Sequence, residues 1–268
     1  MKFLFILFFF CSNSFAQINK SKSAKISFGT TILAFLTSDT AWLAADTKLA
    51  EVNTHTHDTT YQQSTKIYKN KDVYYGFCGI EDFNSTDGIS FEPKSILDSL
   101  LKSKKSLKEI YPLFNDITFN KVNDIAYWLY RNSRSEYDAN IGIELFACVF
   151  IGYENKKLHS YTVAYEIDPT STGLNRIKKA NDYSYTGDTT MFFVGYAKEI
   201  REMLAKGQYK FNFKNVKNEL PCLIKKEADL YKTKVGMPVD EFVIYSNGDK
   251  FAKGLFCNNP VSLFKKSK

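Results

Sequence analysis

The stretch KISFGTTILAF, residues 25–35, sets a glycine before two threonines at the head of an apolar, strand-forming run. A strand gains nothing from paired hydroxyls at its first residues, whereas a nucleophile that must stand at a new N-terminus needs one there. Threonine is a poor nucleophile until a base takes its proton, and one solution uses the α-amine of the same residue. That amine has a pKa of about 7.7–8.0, so part of it is neutral at ordinary pH. It exists at Thr30 only after the Gly29–Thr30 bond is cut, and the small Gly29 leaves that bond open to the neighbouring hydroxyl. The chemistry expected is acyl transfer onto a threonine oxygen.

Three more residues follow in order. Asp46 stands sixteen residues after Thr30 in WLAADTKLA, Lys66 lies in STKIY, and Gly79 lies in FCGI. This spacing resembles the β subunits of the proteasome and the related peptidase of the bacterial ATP-dependent ring protease, both N-terminal nucleophile hydrolases. Those chains begin at Thr-Thr after a glycine, carry an aspartate sixteen positions on, then a lysine and a glycine-containing hairpin return. The segment from Asp46 to Lys66 is about four residues longer here, an insertion that a surface loop tolerates at little cost.

The resemblance implies roles. Thr30 is the nucleophile and its freed amine the proton shuttle; Lys66 keeps positive charge beside the hydroxyl, and Asp46 holds Lys66 in place. A lysine among strands needs a carboxylate partner, and a nearby cation favours the alkoxide. The backbone N–H of Gly79 matches the oxyanion donor, whose loss costs about 3–4 kcal/mol of transition-state stabilisation. In SYTGDTTMFFVGYAKEI, Thr186 before Gly187 takes the place of a serine that supports the amine. VGMPVDEFVI resembles the last helix-to-strand passage, but Lys232 and Val235 stand where the family has an aspartate and a serine.

The fold implied is α+β, a four-layer α-β-β-α sandwich of two antiparallel sheets flanked by helices. No cofactor is required, because the base is built into the nucleophile. The partners implied are a peptide or small amide substrate and a second copy of the chain, in a ring or a smaller homo-oligomer. Two alternatives stay open: a catalytically degenerate binding or structural protein on this fold, and a small-molecule amidase or acylase.

The elements that must position these residues follow from patterning. TTILAFLTSDTAWLAADTKLA gives two strand runs around TSDT, EVNTHTHDTTYQQST a polar loop, and KIYKNKDVYYGFCGI a hairpin turning at Asn70-Lys71-Asp72. PKSILDSLLKS and SLKEIYPLF predict short helices, and Asn120 to Arg134 a clear one, with Val122, Ile125, Ala126, Leu129 and Tyr130 on one face. Strands resume at IELFACVFIGY and LHSYTVAYEI; a strand then runs into a helix that stops at Gly207. A helix from near Pro221 to about Thr233 precedes a last hairpin around an Asn-Gly turn. Strand blocks alternating with helix blocks suit antiparallel sheets with helices layered on them.

Composition bounds the rest. Lys2 followed by FLFILFFFC and SNSFAQ has the form of a secretory signal peptide, with cleavage expected after Ala16 and a propeptide over 17–29. The remaining chain, 30–268, suits one domain, exported to the periplasm or beyond. Net charge of +7 is dispersed in short runs, which suits solvated faces and not a nucleic-acid site. No later segment is apolar enough to predict stable membrane insertion. Cys78, Cys148, Cys222 and Cys257 remain after processing, with their pairing open. His55, His57 and Asp58 fit a solvated loop, and no metal is expected.

Overall fold

The computed structural model describes residues 22–29, 31–103, 105–186, 189–195, 197–209, 211–232, 235–245 and 248–257, with backbone alone at 181–186 and 198. The expected leader at 1–16, the first residues of the expected propeptide, and Thr30 and Gly187 lie outside the described residues.

Strands come first: β1 (Ala24–Gly29), β2 (Thr31–Leu36), β3 (Thr40–Asp46), β4 (Lys48–Asn53), β5 (Thr59–Gln63), β6 (Ile67–Asn70), β7 (Val73–Ser85) and β8 (Ser90–Phe91). Helices α1 (Pro93–Leu101), α2 (Leu107–Asn132) and α3 (Arg134–Ala139) follow. After them come β9 (Glu144–Glu154), β10 (Lys157–Ile167), β11 (Ile177–Thr186) and β12 (Thr190–Gly195). The described chain ends with α4 (Lys198–Ala205), α5 (Val216–Leu230), β13 (Val239–Tyr245) and β14 (Gly248–Leu255).

Two antiparallel sheets result. The nine-stranded one runs β11-β10-β9-β7-β1-β4-β5, with β6 and β8 also paired to β7; the five-stranded one runs β12-β2-β3-β13-β14. Side-chain alternation shows how the layers stack. In β2, Ile32, Ala34 and Leu36 face the other sheet, while Leu33 and Phe35 pack under α4 and α5. All six residues of β2 are buried, because both faces of that strand are covered. On the far side, Phe77, Phe146, Phe150 and Tyr165 of the nine-stranded sheet meet Phe114, Val122, Ile125 and Leu129 of α2. The order of layers is helices, sheet, sheet, helices.

Three elements depart from expectation. The two helices expected at SLKEIYPLF and 120–134 are one 26-residue helix, α2, which runs straight through Pro112. A proline inside a helix costs ~3 kcal/mol. A capping box between Ser106 and Glu109 and a buried face from Ile110 to Leu129 outweigh that cost here. The expected polar loop after Glu51 is a hairpin, in which the exposed β5 pairs with β4. Most consequential, the last residues of the expected propeptide form a strand, β1, held between β4 and β7 in the interior of the nine-stranded sheet.

Cys222 and Cys257 form a disulfide that ties α5 to the segment after β14, and Cys78 and Cys148 are free and buried. The two free thiols lie on neighbouring strands but face opposite sides of their sheet, Cys148 toward α2 and Cys78 toward the other sheet. Burial raises the pKa of both well above the usual thiol value, so they are inert as nucleophiles. Among the described residues no helix is long and apolar enough to cross a membrane.

Candidate active site

Gly29 and Thr31 belong to different sheets: Gly29 ends β1 in the nine-stranded sheet and Thr31 opens β2 in the five-stranded one. Both residues are held. Gly29 is the cross-strand partner of Gly79, and Thr31 is that of Gly195. Thr31 also donates its backbone N–H to Asp46 Oδ1 at 3.1 Å.

Asp46 and Lys66 form an ion pair of 3.0 Å with both side chains at 0 % exposure. A buried ion pair is stable only where its remaining hydrogen-bonding groups are met, and here they are. Asp46 Oδ2 accepts the N–H of Lys48 at 3.2 Å and of Gly236 at 2.9 Å. The Lys66 ammonium also donates to the carbonyl of Lys48. Asp46 is the last residue of β3, and Lys66 stands just before β6, so two strand ends fix the pair from opposite sides. The effect is a fixed positive charge, shielded from water, beside the segment that carries Thr30.

Gly79 is glycine for two local reasons. Its φ is +71°, and a Cβ there would fall 2.3 Å from the carbonyl oxygen of Leu145. Gly79→Ala is therefore expected to cost about 3 kcal/mol or more, read as a lowered denaturation midpoint.

Thr186 is not brought to this place. It ends β11 at the outer edge of the nine-stranded sheet, four strand positions from β1, or roughly 19 Å. Along the strands it aligns through His159 and Gly152 with Val73, six residues from Gly79 and a further 20 Å or so. The residue opposite Thr31 is Gly195, whose N–H donates to the Glu144 carboxylate at 2.6 Å. Glu144 in turn binds Arg201 at 2.9 Å, and burial raises its pKa against the opposing pull of that guanidinium. Lys232 and Val235 do lie near the site. Val235 is buried, and the Lys232 carbonyl accepts from the Lys48 ammonium. Both line an open cleft of about 530 Å³ with Tyr61, Asp229 and Gly236.

Patterning missed Lys48, Gly236, Gly195, Glu144 and Arg201. The first three act through backbone groups, which leave no mark on residue type. Glu144, at the start of β9, and Arg201, in α4, sit 57 positions apart and meet only once the chain is folded. Another residue was also missed, Glu81 on β7. Between Ser27 and Phe28 the β1–β7 register slips so that Glu81 is left out of the ladder as a bulge. A Cβ on Gly29 would lie 1.6 Å from Glu81 Oε1, so that carboxyl occupies the side-chain space of residue 29.

No protein-family model matches the chain, and no curated protein matches it.

Proposed function

We propose that the chain is an exported threonine-nucleophile amide hydrolase of the proteasome β-subunit type, with the corresponding N-terminal nucleophile fold, freed by cutting its own Gly29–Thr30 bond. The observation that carries the proposal is the fully buried Lys66–Asp46 pair bound to the backbone of the residue after Thr30. Burying a lysine this deeply is costly, and a fixed cation is what a threonine alkoxide needs beside it. Lys66 stabilises the deprotonated hydroxyl, Thr30 attacks the carbonyl, and the backbone near Gly79 holds the oxyanion. Water then releases the acyl group, with the freed α-amine carrying the proton.

The position of β1 supports a peptide substrate. Once residues 17–29 leave, β4 and β7 face each other across an empty strand position roughly 10 Å wide. An extended peptide entering that slot pairs on both sides, with its carbonyl where that of Gly29 had been. The Cys222–Cys257 disulfide supports export to an oxidising compartment.

The buried Val235, where the resemblance calls for a serine, favours a second reading, a non-catalytic binding protein on the same fold. Intact mass of the purified secreted protein separates the two. A mature start at Thr30 is the outcome expected of the hydrolase; a start at Gln17 that persists for days belongs to the binding protein.

A further inference from the structure

In the mature enzyme the α-amine of Thr30 serves as base, but before cleavage that nitrogen is an amide. Its lone pair is delocalised into the carbonyl, so it cannot accept a proton. The first cut therefore needs a base from elsewhere. Resting on the hydrolase assignment above, we propose that Glu81 is the catalytic acid–base group of propeptide release, acting on the Gly29–Thr30 bond and on no later turnover.

Three observations carry it. Glu81 Oε1 is packed against Gly29, whose carbonyl is the one attacked, in the space a side chain at 29 would fill. Oε1 is out of reach of solvent and has no hydrogen-bond partner among the described residues. The β-bulge that aims it there is the one slip in the β1–β7 register, and bulges beside active sites commonly re-aim a side chain. A carboxyl buried without a hydrogen-bond partner costs stability, and the nearby Lys66 ammonium offsets only part of that cost. The ionisable groups around it are Lys66 and Asp46, with Tyr68 on β6 and Cys78 on β7 also within its field. Burial pushes Glu81 up to about 7, with Lys66 opposing the rise and Asp46 adding to it. A base is most effective when it titrates near the working pH.

The step balances without a co-reactant. The Thr30 hydroxyl oxygen bonds to the Gly29 carbonyl carbon while the Glu81 carboxylate takes the hydroxyl proton. Collapse of the tetrahedral intermediate breaks the C–N bond as Glu81 returns the proton to the leaving nitrogen. The products are an ester between Gly29 and the Thr30 oxygen, and a free α-amine. Water hydrolyses the ester, leaving the Gly29 carboxylate and the regenerated hydroxyl.

The test follows full-length precursor by intact mass, in wild type, Glu81→Gln and Glu81→Asp, between about pH 5 and 9. The expected result is cleavage in wild type that quickens as pH rises through about 7, where Glu81 becomes the carboxylate. Glu81→Gln is expected to slow cleavage by roughly a hundredfold or more and to flatten that rise, and Glu81→Asp to be intermediate. Glu81→Gln is also expected to melt no lower than wild type at alkaline pH, because it removes a buried charge without a partner. A slowed Glu81→Gln that melts well below wild type and keeps the wild-type rise of cleavage with pH assigns Glu81 to packing and overturns the proposal. Wild-type cleavage speed in Glu81→Gln also overturns it while leaving the hydrolase assignment standing. A wild-type chain that never reaches a Thr30 start overturns both.

Discussion

Lys66→Met is expected to destabilise the protein by about 3–5 kcal/mol and to abolish cleavage at Gly29–Thr30. The two side chains are close in length, so the exchange opens little cavity, and the loss comes from charge. Asp46 would stay buried at 0 % exposure with the N–H groups of Thr31, Lys48 and Gly236 on its oxygens and no counter-ion. The reverse variant, Asp46→Asn, fails differently. An amide presents one acceptor oxygen where the structure uses two, so its NH2 group must face either the Lys66 ammonium or backbone donors. The double variant is expected to lose less than the sum of the two singles, by about 0.5–3 kcal/mol, because each single leaves a charge stranded. Urea unfolding of the four proteins measures the coupling, and intact mass reads the cleavage. A Lys66→Met protein that unfolds with wild type and still cleaves itself would leave the pair with neither role.

Lys66 and Asp46 were singled out by their order and spacing after Thr30, and the structure brings the two together as a buried pair. Asp46 ends β3 and Lys66 stands just before β6, so the apolar runs WLAAD and KIY around them mark where both fall. Gly79 was singled out by resemblance as a backbone donor; its φ of +71° explains why the position is glycine and says nothing of that role. The strand β1 was not legible. Ala24, Ile26 and Phe28 alternate with Lys25 and Ser27, but the run is short, follows the basic stretch NKSKS, and falls in the segment expected to be cut away. Its partners β4 and β7 create the strand. Thr186 was placed by a short Thr-Gly resemblance alone, whereas position in a sheet is set by pairing, which no local pattern records. Glu81 was invisible for a related reason. A glutamate inside a strand reads as solvent-facing, and only the bulge turns it inward toward Gly29.

The sharpest separation of roles is expected between adjacent threonines. Thr30→Ala removes the oxygen proposed to take up the acyl group, so precursor cleavage and hydrolysis of added substrate are both expected to fall below detection. Thr31→Ala keeps the backbone N–H that Asp46 Oδ1 accepts at 3.1 Å and loses a hydroxyl and a methyl group from a fully buried position. Its expected cost is about 1–2 kcal/mol of stability, with cleavage and hydrolysis still measurable. Thr31 is unsuited to the role of nucleophile by its place in the ladder. It opens β2 opposite Gly195 of β12, and its N–H is committed to Asp46. A cut before Thr31 would turn that N–H into an ammonium paired with Asp46, and a carboxylate that close holds the amine protonated and unfit to act as a base. An inactive Thr31→Ala beside an active Thr30→Ala would move the cut by one residue. The Lys66–Asp46 pair would then have to serve a residue whose backbone it already binds.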